Sequence, residues 1–153
     1  MLDLTILAYG KIKETYWQTA SEEYLKRLKP YAKIVIEELK SEPFSKAGHE
    51  IAKQEEAKRL EKYLSRRPGA TVFLLAEKGE ELDSLVFSKK LDQIVGPIIL
   101  IIGGSLGFSQ EIFTSYKKIS LSKLTFPHEL ARVILLEQIY RAVTILNKKE
   151  YHY

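Results

Sequence analysis

The sequence predicts an α/β domain: a mostly parallel sheet of five to six strands with helices on both faces. Three observations predict it. Apolar runs of strand length alternate with longer stretches of helical spacing in the order βαβαβαβαβα, and such alternation builds parallel sheets covered on both sides. The chain is 153 residues, the size of one domain, and shows no internal repeat, low-complexity tract or domain boundary, so residues 1–153 read as a single domain. Its 45% apolar and 29% charged content is that of a globular chain with one sizeable core, and argues against disorder.

Each element has its own warrant. "LTILA" (4–8) reads as the first strand; the segment around it has no positive stretch before an apolar run and no small-residue cleavage site, so it does not read as a signal peptide. Over 13–28, Tyr16, Trp17, Ala20, Tyr24 and Leu28 recur at helical spacings, and Pro30 stops that helix. "KIVIEEL" (33–39) is a second strand, and 41–48 has the Pro, Ser and Gly of a loop. A charged helix over 49–67 carries an apolar stripe of Ile51, Ala52, Ala57, Leu60 and Leu64, ended by "PGA". "TVFLLA" (71–76) is a third strand, followed by a turn in "EKGEEL". The helix over 83–95 is capped by Asp83 or Ser84. "PIILII" (97–102) is the fourth strand, and "GGSLG" (103–107) a loop into a short helix over 109–116 with Ser109 at its N-cap. "KISLS" (118–122) is the fifth strand, "KLTF" a connector, and Pro127 opens a long last helix to about Asn147.

Composition narrows the function classes. There is no cysteine, hence no disulfide framework and no thiolate chemistry, which fits a cytoplasmic protein. His49, His128 and His152 are the only histidines, and none stands at metal-ligand spacing with carboxylates, so no metal is expected. No apolar run approaches the length of a membrane span. The balance of 24 Lys+Arg against 20 Asp+Glu permits an anionic partner such as RNA without requiring one.

Open parallel sheets bind ligands beyond the carboxyl ends of their strands. That rule points to Leu75–Ala76, Gly103–Gly107 and Leu121–Phe126. In "LIIGGSLGFS" (100–109) the glycines allow a sharp turn and close approach of a ligand to the backbone. The adjacent glycine pair departs from the G-x-G-x-x-G fingerprint, and no Gly-Lys-Ser/Thr follows. A ligand-binding turn and a plain strand-to-helix turn both fit. "SLSKLTFP" (120–127) offers the Ser122 and Thr125 hydroxyls beside Leu124 and Phe126, a surface for a flat heterocycle or else a plain connector. In the last helix His128 and Arg132 are four apart and share a face; function and a capping or packing role both fit. Glu137 and Arg141 are also four apart, acid first, and read as a structural ion pair. That helix is apolar on nearly every side, as one buried in the domain or against a partner would be. The chain closes on Tyr151, His152 and Tyr153, an aromatic tail where frayed polar ends are the rule.

Taken together, "ILAYGKIKETYW…EEYLKRLKPY", "IIGGSLG", "LSKLTFPHELARVILLEQIYRA" and the terminal "YH" resemble the small SPOUT-class methyltransferases of large-subunit ribosomal RNA, the pseudouridine N3-methyltransferases of the ribosomal RNA large subunit methyltransferase H family. The resemblance covers the whole chain, and the joint occurrence of these segments is far more specific than any one. A departure lies before the tail, where many relatives carry a glycine and this chain has Lys148 and Lys149. The resemblance implies a C-terminal trefoil knot whose loops bind S-adenosyl-L-methionine. By matching position the contacts are Leu75, Gly103, Leu121, Ser122, Lys123, Leu124, Thr125 and Phe126. It further implies a homodimer with the last helix at the interface, and 23S rRNA within the assembled ribosome as substrate.

On that reading the catalytic candidates are His128, Arg132, Tyr151 and His152. N3 of the base carries a proton, so His128 or His152 is a candidate base, and Arg132 a candidate to hold developing charge or a phosphate. Tyr151 and Tyr153 offer rings for stacking. The expectation is that one protomer's tail completes its partner's pocket. Two alternatives stand beside this: a SPOUT methyltransferase of another RNA such as tRNA, and a non-catalytic RNA- or ribosome-binding module of the same fold.

Overall fold

The structure, a computed structural model, describes residues 1–43 and 48–153. Its elements are β1 (Leu2–Tyr9), α1 (Thr15–Leu28), β2 (Ala32–Leu39), α2 (His49–Ser65), β3 (Thr71–Glu81), α3 (Ser84–Asp92), β4 (Ile98–Ile102), α4 (Gln110–Ser115), β5 (Lys117–Ser120) and α5 (His128–Leu146). The five strands form one sheet in the order β2-β1-β4-β3-β5, and every pairing is parallel. Part of the loop read over 41–48, residues 44–47, lies outside the described residues.

Successive strand side chains point to opposite faces, and this period of two sorts the core into two layers. Leu4, Ile6 and Ala8 of β1, Phe73 of β3 and Ile98, Leu100 and Ile102 of β4 face α1, α3 and α5. Their neighbours Leu7, Leu74, Ile99 and Ile101 face Ala57, Leu60 and Leu64 of α2 and Ile112 of α4. All of β4 is buried, as the central strand of a sheet covered on both sides must be. The expected caps form: the Asp83 carboxylate accepts from the Val86 N–H (2.8 Å), and the Ser109 hydroxyl from the Ile112 N–H (3.3 Å).

Three local expectations change. The chain does not turn at "EKGEEL"; β3 runs on to Glu81, because β5 pairs with it twice. Leu75 and Glu80 both stand opposite Ile119, across an irregularity in the register. Gly79 lies in that stretch, at a point where a Cβ would meet the β5 backbone at 2.7 Å. β5 in turn ends at Ser120, so Leu121 and Ser122 belong to the following loop. There the Ser120 hydroxyl donates to the Ser122 carbonyl (2.9 Å) and the Leu124 N–H to the Ser122 hydroxyl (3.0 Å), a local turn that draws the chain off the sheet. Finally, the apolar stripe of α2 omits Ile51, which is 69% exposed, and includes Glu56, which is 4% exposed.

Candidate active site

The carboxyl ends of β3 and β4 and the loop after β5 converge on one open cleft of about 540 Å³, within the roughly 300–1,000 Å³ range of small-molecule sites. Leu75 and Ala76 line it from β3, Gly103, Gly104, Ser105 and Gly107 from the glycine loop, and Leu121, Ser122, Leu124, Thr125 and Phe126 from the loop after β5. His128 and Ala131, on the first turn of α5, close one side. Lys123 stands apart: its exposed ammonium pairs with Glu81 at 3.4 Å, and it is not among the lining residues. The sequence reading passed over Glu77, Phe108 and Phe113, which also line the cleft. For Phe108 a signal was present, a bulky ring directly after "GGSLG".

The two adjacent glycines face different ways: Gly103 leaves room beside the Phe108 ring of the cleft, and Gly104 packs toward Glu56 and Tyr9. A Cβ on Gly103 would stand 3.2 Å from the Phe108 ring, and one on Gly104 3.4 Å from Glu56 Oε1 and 3.5 Å from Tyr9 Cβ. Gly107 turns at φ +74°, a left-handed conformation that favours glycine. Its N–H donates to the Gly104 carbonyl (3.0 Å), which closes the loop on itself.

Behind the glycine loop lies a buried polar layer. The Arg132 guanidinium is 3% exposed and pairs with Glu38 of β2 at 2.7 Å. It also donates to the carbonyl of Gly10 (2.5 Å) and at longer range to that of Tyr9 (3.4 Å). Arg132 thus ties α5 to the ends of β1 and β2, while His128, one turn earlier, stands exposed at the cleft; the face they share divides between frame and site. The Tyr9 hydroxyl donates to the Glu56 carbonyl (3.1 Å). Burial first, and the Glu56 charge second, hold the Tyr9 phenol far above its ordinary range. Burial likewise raises Glu56, against the opposing pull of the Glu42 N–H and the Arg59 guanidinium.

The aromatic tail docks elsewhere. The Tyr151 ring meets Tyr140 edge-on, with centroids 4.7 Å apart, and its hydroxyl donates to Glu137 (3.1 Å). His152 Nδ1 lies 3.2 Å from Arg141. The Glu137–Arg141 ion pair expected from the sequence is present at 2.5 Å, and it is also what receives the tail. Burial, then hydrogen bonding with Tyr24, keeps the Tyr151 phenol protonated far above its ordinary range. The turn into the tail puts Lys148 at φ 54°, the left-handed conformation a glycine takes without strain. The Lys149 N–H to Thr144 carbonyl bond (2.8 Å) holds that turn. His128 and Arg141 are thirteen residues apart, roughly 20 Å along the helix axis. Within one protomer, therefore, the structure brings together the three strand-end segments and His128, but not Tyr151 and His152.

A family model described as "Predicted SPOUT methyltransferase" matches residues 2–152. A protein of Pelobacter propionicus named ribosomal RNA large subunit methyltransferase H is 38% identical over 154 residues, covering 98% of this chain and 99% of that protein. One of the same name from Ruminiclostridium cellulolyticum is 42% identical over 160 residues, covering 99% of each. Among solved structures, a probable methylase family protein from Haemophilus influenzae superposes with a TM-score of 0.58 at 10% identity, over 100% of this chain and 72% of that one. The A. aeolicus TrmH/SpoU tRNA modifying enzyme superposes with a TM-score of 0.50 at 17% identity, over 97% and 78%. At such identities these structures speak for the fold alone.

Proposed function

Because the chain belongs to the SPOUT methyltransferase family, we propose that it methylates N3 of a pseudouridine in 23S rRNA, using S-adenosyl-L-methionine. It does so on the assembled ribosome, in the cytoplasm, as a homodimer whose C-terminal part is knotted. The names of the relatives support the RNA class. The observation that carries the reading is the convergence of three strand ends on one cleft lined by the glycine loop, where a Cβ on Gly103 would press on the Phe108 ring.

The residues fit the cofactor. Leu75, Ile102, Leu124 and Phe126 offer apolar surface for a flat base, and Ser122 and Thr125 hydroxyls for polar groups. The backbone of Gly103 and Gly104 accepts close approach. When bound, S-adenosyl-L-methionine supplies a methyl group on a sulfonium, a good leaving group. The chain's own work is alignment of the acceptor base and removal of its N3 proton. His128, exposed at the cleft, takes that proton, and Arg132 holds the start of α5, which carries His128, against the ends of β1 and β2. Among the described residues no group of three or more His, Asp or Glu side chains is placed to hold a metal ion, and no helix is long and apolar enough to cross a membrane.

Tyr151 and His152 serve the site in trans. They dock on Glu137 and Arg141, and Arg141 is roughly 20 Å along the α5 axis from His128 at the cleft; α5 keeps apolar residues such as Leu130, Val133 and Ile134 only partly buried, a surface suited to a partner. The check is a mixed dimer. Pairing a protomer that lacks residues 150–153 with one carrying a blocked cofactor cleft places both defects in one composite site and leaves the other intact. Such dimers should keep about half of the wild-type activity, whereas sites complete in cis would keep none.

Transfer of labelled methyl from S-adenosyl-L-methionine tests the whole reading. Whole ribosomes from a strain lacking the protein should be labelled well, free 23S rRNA poorly and tRNA not at all, with the label on pseudouridine N3 by mass spectrometry. Label in tRNA would move the substrate, and no cofactor binding by calorimetry would make the chain a binding module.

A further inference from the structure

Glu56, in the polar layer behind the glycine loop, has no part in the proposed reaction. It is 4% exposed, on the face of α2 that meets the sheet. Its carboxyl is half satisfied: Oε2 accepts from the Glu42 N–H (2.9 Å), while Oε1 is buried with no partner among the described residues. A buried acceptor left unpaired is costly, and the cost is largest for a charged one. The free oxygen is aimed at the glycine loop, 3.4 Å from where a Cβ on Gly104 would stand. Glycine peptides rotate with little steric opposition, so the loop that lines the cleft in front can turn an N–H toward the oxygen behind it.

We propose that Glu56 is a positioning residue for the glycine loop, its free oxygen accepting a backbone N–H of the Gly103–Ser105 segment when S-adenosyl-L-methionine occupies the cleft. This rests on the methyltransferase reading and adds a residue to it. The loop as described leaves the acceptor unpaired; a loop turned toward Glu56 satisfies it, so part of the binding free energy comes from behind the loop.

A pH dependence follows. Burial raises Glu56 above its ordinary value of 4.5. An arriving N–H favours the ionised carboxylate and lowers it again. Between the two values binding therefore releases protons, and affinity rises with pH across that interval. The groups around the carboxyl are Tyr9 from β1, Glu42 after β2, Arg59 on α2 and His128 on α5. All four remain when Glu56 alone is changed, so the comparison isolates its share.

The test is Glu56→Gln, which keeps the shape and the acceptor for the Glu42 N–H but turns an amide donor toward the loop. Two quantities are read: calorimetric affinity for S-adenosyl-L-methionine between about pH 5 and pH 8, and the unfolding temperature of the ligand-free protein. We expect affinity to fall about tenfold, the scale of one hydrogen bond to a charged group. The ligand-free unfolding temperature should hold or rise, and the variant should lose its share of proton release. Unchanged affinity, or an unfolding temperature that falls while the pH profile stays that of wild type, would overturn the proposal by making Glu56 merely structural. Should that variant not fold, Glu56→Asp draws the oxygen back by one methylene, and the same weakening is expected. A wild-type protein that binds no S-adenosyl-L-methionine would instead refute the methyltransferase reading, and this proposal with it.

Discussion

Arg132→Ala is expected to lower the unfolding free energy by about 3 kcal/mol, and the unfolding temperature by roughly 6–12 °C. The side chain is a clamp. It pairs with Glu38 and takes the carbonyls of Gly10 and Tyr9, which binds the start of α5 to the ends of β1 and β2. Truncation leaves the partly buried Gly10 carbonyl without its donor and a cavity beside it. Glu38 keeps 32% of its side chain exposed, so water recovers part of its loss, and the figure sits at the low end for a broken buried pair. Arg132→Lys keeps the charge but not the fork that reaches a carboxylate and a carbonyl at once, and should lose less. Urea denaturation decides the role. A variant as stable as wild type that nonetheless transfers no methyl would place Arg132 on the substrate instead of in the frame.

Gly79→Ala is expected to cost about 2–3 kcal/mol, the upper part of the range for overpacked sites. A Cβ there would stand 2.7 Å from the Ile119 carbonyl carbon and 2.8 Å from Ile119 N and the Lys118 carbonyl carbon. All three are backbone atoms, so no rotamer change relieves the contact, and β5 itself must move. The usual gain from replacing glycine, about 0.4–1 kcal/mol through the unfolded chain, is too small to offset that. Because β5 leads directly into Leu121–Phe126, affinity for S-adenosyl-L-methionine should fall together with stability. Gly69→Ala is the control: its Cβ meets nothing within 4 Å, and stability should stay within about 0.5 kcal/mol. Equal effects at the two glycines would mean that β3 and β5 do not approach as described.

The fold was legible because its signals are local and agree. β4 is five consecutive buried aliphatic residues and reads as a strand from any window. Asp83 and Ser109 stand where caps are needed, and both are used. The strand-end rule located the cleft without reference to any relative, since three of its walls follow directly from where apolar runs stop. The errors fall where partners are distant in sequence. "EKGEEL" has turn composition, and only pairing with Ile119, some forty residues on, makes it strand. Glu56 broke the apolar stripe of α2 in the sequence, and nothing nearby announces that a charged residue there is buried against Tyr9 and Gly104.

Site residues divide along the same line. Membership in a methyltransferase family is carried by motifs along the chain, and the comparisons bear it out over residues 2–152. Spacing of four placed His128 and Arg132 on one helical face, but a face spans both a solvent cleft and a packed layer. Depth is set by what packs against it, here Glu38 and the Gly10 carbonyl. The Glu137–Arg141 pair was readable as an i,i+4 contact, yet its service as the dock for Tyr151 and His152 was not. What the sequence alone determined is the order of elements, the strand-end segments that line the cleft and the family. What the tertiary structure decided is which polar groups are buried, how closely β3 and β5 approach, and where the tail rests. Periodicity and capping act over a turn or two of chain, whereas burial and close approach depend on residues that only folding brings together.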